Sequence, residues 1–238
     1  ARLAASNITA NCTESWFTVP IDHFDQSAAT LDATTPETFQ IRIYTCMNQH
    51  WQAGAPIFYY TGNEAPIELF MEWAGIMWEN AASTHAKLVW AEHRYFGKSR
   101  PWKNESMPHG KKLRFLTPAN AMADFAEHIN WLRYTDVPSA EKSSIIGFGG
   151  SYGGMLCGWM RSKYPWALDG CLASSAPFGV FPGAHPAHNS DHVAMVLTAD
   201  ATAARGSAEG CDVNVRNAFK AIGELSKTTQ GLAELSSI

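Results

Sequence analysis

The chain has 238 residues, of which 46% are apolar, with a formal net charge of −4 and a pI near 6.1. This composition predicts a globular chain with a core large enough for one domain and room for an appendage. The weakly acidic charge argues against nucleic acid or an anionic membrane as a partner, and polar residues interrupt every apolar run before it reaches the length of a membrane span.

The chain opens with a polar, turn-rich segment, which strand and helix patterns follow. Residues 1–36 predict an N-terminal arm laid on the body of the protein, in which Trp16–Val19 is the exception to the polar pattern. Residues 67–82 carry apolar side chains at helical spacing and predict one helix. A further helix is expected to begin at Thr117–Pro118 and to run through Leu132, because Thr is a preferred N-cap and Pro fits the first helical position.

Five short runs predict strands, since each one alternates at a period of two or is continuously apolar. They are residues 39–44, 56–61, 86–91, 143–148 and 169–174. The alternation of these strands with helices predicts an open, mostly parallel sheet with helices on both faces. From Gly183 the sequence becomes rich in His and Ala with weak helical periodicity, which indicates a second, helical element.

The segment GGSYGGM at residues 149–155 is the most informative part of the chain. It lies between the strand pattern of 143–148 and a helical pattern over 156–164, and a G-x-S-x-G motif in that context is typical of a nucleophile elbow. A serine at the apex of such a turn projects its Oγ out of the sheet, and glycines two residues to either side avoid a collision. Ser151 is therefore the predicted nucleophile. The alternative is a Gly-rich turn that happens to contain a serine.

Three stretches, in order and spacing, resemble one family of peptidases. They are FYYTGNEAP at 58–66, AEHRYFGKSRPW at 91–102 and GFGGSYGGMLCGWMRSKYP at 147–165. The chain resembles the lysosomal Pro-X carboxypeptidase and dipeptidyl peptidase II family from about Phe17 to Pro177. The resemblance implies an α/β-hydrolase fold and a serine exopeptidase that forms an acyl-enzyme on Ser151, with peptides, including proline-containing ones, as substrates. No metal or organic cofactor is implied, and no oligomeric state is predicted.

The loop after the strand at 56–61 is expected to complete an oxyanion hole. In an α/β-hydrolase one donor is the amide of the residue after the nucleophile, here Tyr152, and this loop supplies the other, here the backbone amides of Gly62 and Asn63. The resemblance also implies that Asn63 and Glu64 contact the substrate. The alternative is a helix-capping Asn followed by a Glu in the first turn. The family continues with Gly-Asp where this chain has Ala65-Pro66, a departure that bears on specificity.

Glu92–Arg94 follows a predicted strand and combines two opposite charges with a histidine. His93 is not the predicted base, because in this fold the base follows the nucleophile, in the order Ser, Asp, His. The preferred interpretation is a buried ion-pair network that shapes the loop beside the elbow.

A group of histidines follows the hydrolase motifs. Although His185, His188 and His192 lie close together with Asp191, no strand or helix fixes their geometry and no cysteine is near, so no metal site is predicted. The family's triad acid and base lie much nearer the end of a full-length member, and no residue of this chain corresponds to either. We therefore expect a fragment that is inactive by itself.

Five cysteines and three N-glycosylation sequons favour the secretory pathway, and with the resemblance a lysosomal, vacuolar or extracellular location. The sequons begin at Asn7, Asn11 and Asn104. Cys12 and Cys46 flank the first strand region and are the candidate disulfide. Cys157 and Cys171 are expected to be small buried thiols. Cys211 lies where the family has a cysteine that pairs further along its chain.

These expectations divide the chain into an N-terminal arm (1–36), an α/β-hydrolase core with the elbow (37–183) and the start of a helical cap or insertion (184–238). The preferred function is that of the N-terminal half of a serine peptidase. An esterase or lipase on the same fold, or a non-catalytic hydrolase remnant, are the alternatives. A downstream Asp and His in the transcript would separate the remnant from an enzyme.

Overall fold

The computed structural model describes residues 8–25, 35–47, 50–103, 109–181, 183 and 191–237. Two compact units divide the chain, Ala1–Pro177 and Phe178–Ile238. The larger unit holds the six strands of the described residues, and the described part of the smaller unit is helical. The division into arm, core and insertion stays a prediction.

A single six-stranded sheet, in the order β1-β2-β4-β3-β5-β6, forms the centre of the larger unit. Its strands are β1 (Cys12–Pro20), β2 (Thr38–Cys46), β3 (Ile57–Thr61), β4 (Lys87–Ala91), β5 (Ile145–Gly150) and β6 (Gly170–Ser174). The four strands β4, β3, β5 and β6 are parallel to one another, whereas β2 is antiparallel to both β1 and β4. The parallel strands thus carry the elbow, because β5 leads directly into it.

Part of the predicted N-terminal arm lies in the sheet as β1, which pairs with β2 along its whole length. An edge strand of this kind has a polar sequence, since one face is open to solvent. Val19 is buried and Phe17 is half-buried, while Thr18 between them and Trp16 before them are exposed. This alternation was too short to stand out in the sequence.

Four helices pack against the sheet or end beside it. They are α1 (Ile67–Trp73), α2 (Gly75–Thr84), α3 (Pro118–Trp131) and α4 (Ser151–Lys163). The single helix predicted over 67–82 is two helices, which separate at Ala74, where Gly75, a weak helix former, begins the second one. The predicted start of α3 is confirmed, because the Thr117 hydroxyl accepts a hydrogen bond from the Asn120 amide and Pro118 is the first helical residue.

Alternate residues of the central strands face two separate apolar clusters. Tyr59 and Val89 belong to the cluster that includes side chains of α3 and α4, whereas Tyr60 and Trp90 belong to the cluster that includes side chains of α1 and α2. Because neighbouring residues of a strand point to opposite faces, the helices must cover both faces of the sheet. The fold class is therefore that of an α/β-hydrolase, as predicted.

The smaller unit contains helices α5 (Asp191–Asp200), α6 (Cys211–Leu225) and α7 (Thr229–Leu235). The side chain of Thr228 caps α7 by accepting a hydrogen bond from the Gly231 amide at 3.0 Å. In the ranges that the structure describes, no helix combines the length and the apolar character that crossing a membrane requires.

Two disulfides join elements of the larger unit. Cys12 and Cys46 face each other in the register of β1 and β2 and are bonded, as the candidate pairing required. Cys157 on α4 is bonded to Cys171 on β6. The prediction of two buried thiols is wrong, because a helix packed on its own sheet brings the two cysteines together. Cys211 carries a free thiol.

Candidate active site

Ser151 lies at the sharp turn between β5 and α4, in the position predicted for the nucleophile. It is the first residue of α4, directly after β5 ends at Gly150. Its φ is +50°, in the left-handed region that a residue with a side chain seldom adopts. The residue is exposed. A strained, exposed serine at the end of a buried parallel strand has the geometry of a nucleophile elbow.

Two glycines of the motif are required by close backbone approach. A Cβ on Gly149 would lie 2.3 Å from the carbonyl oxygen of Gly153. A Cβ on Gly153 would lie 2.1 Å from Oδ1 of Asn63 and 2.6 Å from the carbonyl oxygen of Thr61. The motif therefore lets α4 pack against both β5 and the loop that follows β3.

Two backbone amides near Ser151 are free to donate to an oxyanion. Tyr152 lies in the first turn of α4, where amides have no partner within the helix. The Asn63 amide has no hydrogen-bond acceptor among the described residues. Gly62 differs from the expectation, because its amide donates to the carbonyl of Ala91 at 3.0 Å. The hydrogen bond to β4 takes Gly62 out of the predicted donor set and leaves Tyr152 and Asn63.

The side chain of Asn63 is buried and holds the elbow. Its Nδ2 donates to the carbonyl of Gly150 at 2.6 Å, and its Oδ1 accepts a hydrogen bond from the Tyr60 hydroxyl at 3.2 Å. These two bonds use the oxygen of the Asn63 side-chain amide and one of its two N–H hydrogens. The side chain thus links the loop after β3 to the residue before Ser151, a role that the sequence did not reveal. Its contact with substrate stays a prediction.

Glu64 is exposed beside the same loop. Burial and then the charge of Glu64 raise the pKa of Tyr152 to about 12. Glu64 directly follows Asn63, whose side chain bonds Gly150, so Glu64 lies on the loop beside the elbow. An exposed carboxylate in this place is suited to a cationic group, which leaves the predicted substrate contact open.

A cavity of about 480 Å³ opens next to Ser151 and lies wholly within the larger unit. Its wall is mostly apolar and aromatic: Tyr60, Phe70, Trp73, Ala74, Ile76, Phe148 and Leu172, with Asn63, Ser151 and Ser174 as the polar side chains. Such a pocket, apolar with a few polar groups beside a nucleophile, is the usual form of a ligand site.

Glu92 fixes the loop that follows β3 at the point where that loop enters α1. One carboxylate oxygen accepts hydrogen bonds from the Arg42 guanidinium at 2.6 Å and from the amide of Ile67, the first residue of α1, at 3.1 Å. The other accepts from the amide and the hydroxyl of Ser99. The predicted ion-pair network is confirmed, since Glu92 and Arg42 are both buried.

Arg94 anchors the same segment on the other side. Its guanidinium donates to both carboxylate oxygens of Asp124 on α3, at 2.7 and 2.6 Å. The remaining nitrogen donates to the backbone carbonyls of Ile21 and Phe115. A buried, bidentate arginine of this kind makes the 92–94 segment rigid.

The other predicted sites are only partly within the described residues. Asn11 is exposed in the turn before β1, whereas Asn7 and Asn104 lie outside the described residues, so glycosylation stays a prediction. His185 and His188 also lie outside them, and His192 is exposed in α5. Among the residues that the structure describes, no group of three or more His, Cys, Asp or Glu side chains is placed to hold a metal.

Thr61 was missed by the sequence analysis. Its hydroxyl lies within hydrogen-bonding distance of the carbonyls of Phe148, at 3.2 Å, and Gly153, at 2.8 Å, so it ties β3 to β5 and to α4. The available signal was a hydroxyl at the end of a wholly buried strand, since a buried polar group needs a partner.

The chain is similar to known proteins over most of its length. The model of a family described as serine carboxypeptidase S28 matches residues 19–238. The lysosomal Pro-X carboxypeptidase of Mus musculus is 39% identical over 217 residues, which cover 91% of this chain and 43% of that protein. That of Homo sapiens is 37% identical over 230 residues, which cover 96% and 43%. The chain therefore spans less than half the length of these relatives.

Other similarities are more partial. The prolyl carboxy peptidase like protein 5 of Caenorhabditis elegans is 43% identical over 164 residues, which cover 69% of this chain and 31% of that protein. Among solved structures, a peroxisomal α/β-hydrolase from Saccharomyces cerevisiae has a TM-score of 0.46 and 12% identity, with 81% of this chain and 53% of that chain covered.

Proposed function

Because this chain belongs to the serine carboxypeptidase S28 family, we propose that it carries the nucleophile and the oxyanion hole of a serine exopeptidase. In this proposal Ser151 attacks a peptide carbonyl and forms an acyl-enzyme. The amides of Tyr152 and Asn63 stabilise the oxyanion of the tetrahedral intermediate. The observation that carries the proposal is the exposed Ser151 at φ +50° between β5 and α4.

The substrate is proposed to be a peptide, with proline-containing peptides as the first candidates. The relatives named Pro-X carboxypeptidases support this choice. The apolar cavity next to Ser151 is large enough for a side chain or a proline ring. Exposed Glu64, the residue after the cavity-lining Asn63, is suited to a charged group of the substrate, such as a free amino terminus. Cleavage of a carboxy-terminal residue and release of an amino-terminal dipeptide are the two forms that an assay must compare.

The base and the acid of the triad are proposed to come from residues outside this chain. The hydroxyl of Ser151 has no hydrogen-bond partner among the described residues, and His93, the histidine that contacts Tyr152, already bonds to Tyr152 and to a backbone carbonyl. The greater length of the relatives supports this part of the proposal. Without a base a serine hydroxyl is a poor nucleophile. In subtilisin, loss of the catalytic histidine alone lowers turnover by a factor of about 10⁶, which indicates the size of the effect of a missing base.

The proposed location is the secretory pathway, with the lysosome or the outside of the cell as the destination. Two disulfides support this location, because such bonds persist in oxidising compartments. The sequons at Asn7, Asn11 and Asn104 would be glycosylated there.

The test is labelling with a fluorophosphonate probe. The protein labelled is the complete translation product of the transcript that encodes this chain, which is called the transcript product below. Peptide mapping should find the adduct on Ser151, and a Ser151→Ala variant should neither label nor turn over peptides. The 238-residue chain alone should hydrolyse X-Pro and Pro-X fluorogenic peptides no faster than its Ser151→Ala variant. An adduct on another serine would refute the elbow, and turnover by the isolated chain would refute the proposed origin of the base.

A further inference from the structure

His93 lies in contact with the elbow but outside the proposed chemistry. It is fully buried, and its ring packs edge-on against Phe96 and lies 5.4 Å, between ring centroids, from Tyr152. Its Nδ1 is 2.6 Å from the carbonyl oxygen of Arg94, and its Nε2 is 3.0 Å from the hydroxyl of Tyr152. Tyr152 is also the residue whose amide is a proposed oxyanion donor.

The tautomer of His93 follows from its partners. A carbonyl oxygen only accepts hydrogen bonds, so Nδ1 must carry the proton that it donates to Arg94. Burial lowers the pKa of His93 to about 4, and the ring is therefore neutral above that pH. Nε2 is then an acceptor, and the Tyr152 hydroxyl donates to it. Each polar atom of the ring has one partner and one defined role.

Both chain neighbours of His93 are themselves held. Arg94 is fixed by Asp124 through two hydrogen bonds, and Glu92 is fixed by Arg42 and by the start of α1. His93 therefore joins the elbow to a rigid, buried segment that also supports the loop with the second oxyanion donor. An oxyanion hole works only when its donors are held in place before the reaction begins.

We infer that His93 is a positioning residue, which holds the side chain of Tyr152 and thereby aims the Tyr152 amide at the oxyanion. The inference rests on the proposed function, since it concerns the same site. It makes the histidine neither the base nor a substrate ligand. Tyr152 does not line the cavity next to Ser151, so the loss of this contact should change kcat while KM stays nearly constant.

The test is a double-mutant cycle in the transcript product, with kcat and KM measured on its best peptide substrate. His93→Asn keeps a polar group near Nδ1 but lacks the acceptor for Tyr152, whereas His93→Gln places an amide oxygen near Nε2. We expect about a tenfold loss of kcat for His93→Asn and for Tyr152→Phe, a smaller loss for His93→Gln, and KM within twofold throughout. Removal of a whole oxyanion donor costs about 10²–10³, so a misaligned donor should cost less.

The double variant decides the route of the effect. If His93 acts through Tyr152, His93→Asn should add no further loss in the Tyr152→Phe background. Additive losses, or full kcat in a folded His93→Asn variant, would overturn the inference. His128 provides the matched control, because it is also a buried histidine that hydrogen-bonds a tyrosine hydroxyl, that of Tyr59 at 3.0 Å, away from the elbow. His128→Asn should lower stability and leave kcat within twofold.

If His93→Asn fails to fold, Tyr152→Phe and His93→Gln still test the inference. Tyr152→Phe must lower kcat, and His93→Gln must lower it by less. The two proposals also fail separately. If Ser151→Ala retains turnover, the proposed function is wrong. If Ser151→Ala is inactive while Tyr152→Phe and His93→Asn are fully active, only the role of His93 is wrong.

Discussion

The side-chain amide of Asn63, just after β3, donates a hydrogen bond at 2.6 Å to the carbonyl of Gly150, the last residue of the neighbouring strand β5. It thereby joins the two segments that carry the proposed oxyanion donors. Asn63 is 3% exposed, so water cannot take over this bond when the side chain changes. Gly150, whose carbonyl accepts this hydrogen bond, is the residue before Ser151. The Asn63 side chain therefore holds the elbow and the loop that follows β3 together.

Asn63→Asp should slow the labelling of Ser151 by a fluorophosphonate at least tenfold. The carboxylate can still accept from Tyr60 but faces the Gly150 carbonyl with an oxygen in place of the amide donor, which leaves a buried acceptor without a partner. The rate of labelling in the transcript product measures the effect. Asn80→Asp is the matched control, because the Asn80 amide donates to the Ile76 carbonyl on an exposed helix face. Equal rates in wild type and Asn63→Asp would contradict the prediction.

Gly153→Ala should destabilise the protein by about 1–3 kcal/mol and reduce labelling of Ser151. The added Cβ would meet Oδ1 of Asn63 at 2.1 Å and a backbone carbonyl at 2.6 Å, and overpacking of this kind typically costs that much. Helix propensity alone would favour Ala by about 0.5–1 kcal/mol, so the sign of the effect is diagnostic.

Gly223→Ala in the last turn of α6 is the control for Gly153→Ala. A Cβ at Gly223 meets no atom within 4 Å, and the substitution should be stabilising by about 0.5–1 kcal/mol. Urea unfolding of both variants gives the comparison. If Gly153→Ala were as stable as Gly223→Ala, the packing of α4 against Asn63 would be wrong.

The two disulfides should contribute unequally to stability. Cys12–Cys46 closes a loop with a sequence separation of 34, and Cys157–Cys171 one of 14. Chain entropy predicts losses of about 4 and about 3 kcal/mol when each pair is replaced by serine. Mass spectrometry of the unreduced protein should find both bonds, with one thiol, that of Cys211, open to alkylation. Alkylation of Cys157 or Cys171 without reduction would contradict the structure.

His23 should stabilise the protein at acidic and neutral pH and lose this effect in alkali. Burial lowers the pKa of His23, but its hydrogen bonds to Asp124 and Glu127 more than offset that and raise it to about 9. A raised pKa means that the folded state binds the proton more tightly than the unfolded state, whose histidine has a pKa near 6.5. The stabilisation is therefore complete below pH 6.5 and disappears as the pH rises through 9.

The measurement is the difference in unfolding free energy between wild type and His23→Gln at pH 5, 7 and 10. The charge-dependent part should be at most about 3 kcal/mol at pH 5, somewhat smaller at pH 7 and close to zero at pH 10. A difference that stays constant over this range would show that the charge of His23 contributes nothing.

Local patterns predicted several parts of this protein correctly. The elbow was visible because a strand, G-x-S-x-G and a helix follow one another without interruption, and the N-cap of α3 was visible because Thr117 and Pro118 are adjacent. The cysteines of α4 and β6 escaped prediction, since nothing local indicates that residues 157 and 171 meet. The assignment of Gly62 as a donor failed for the same reason, because its acceptor lies on another strand, at Ala91.

The sequence by itself determined the fold class, the family and the position of the elbow, because each depends on the order of short motifs along the chain. The tertiary structure decided which groups surround Ser151. It gives the amide of Asn63 no acceptor within the described part of the chain, uses the side chain of Asn63 to hold Gly150, and brings His93 to the hydroxyl of Tyr152. The physical reason is that a hydrogen bond is set by distance and direction in space. Residues 59 positions apart along the chain, such as His93 and Tyr152, share one only after the sheet has formed.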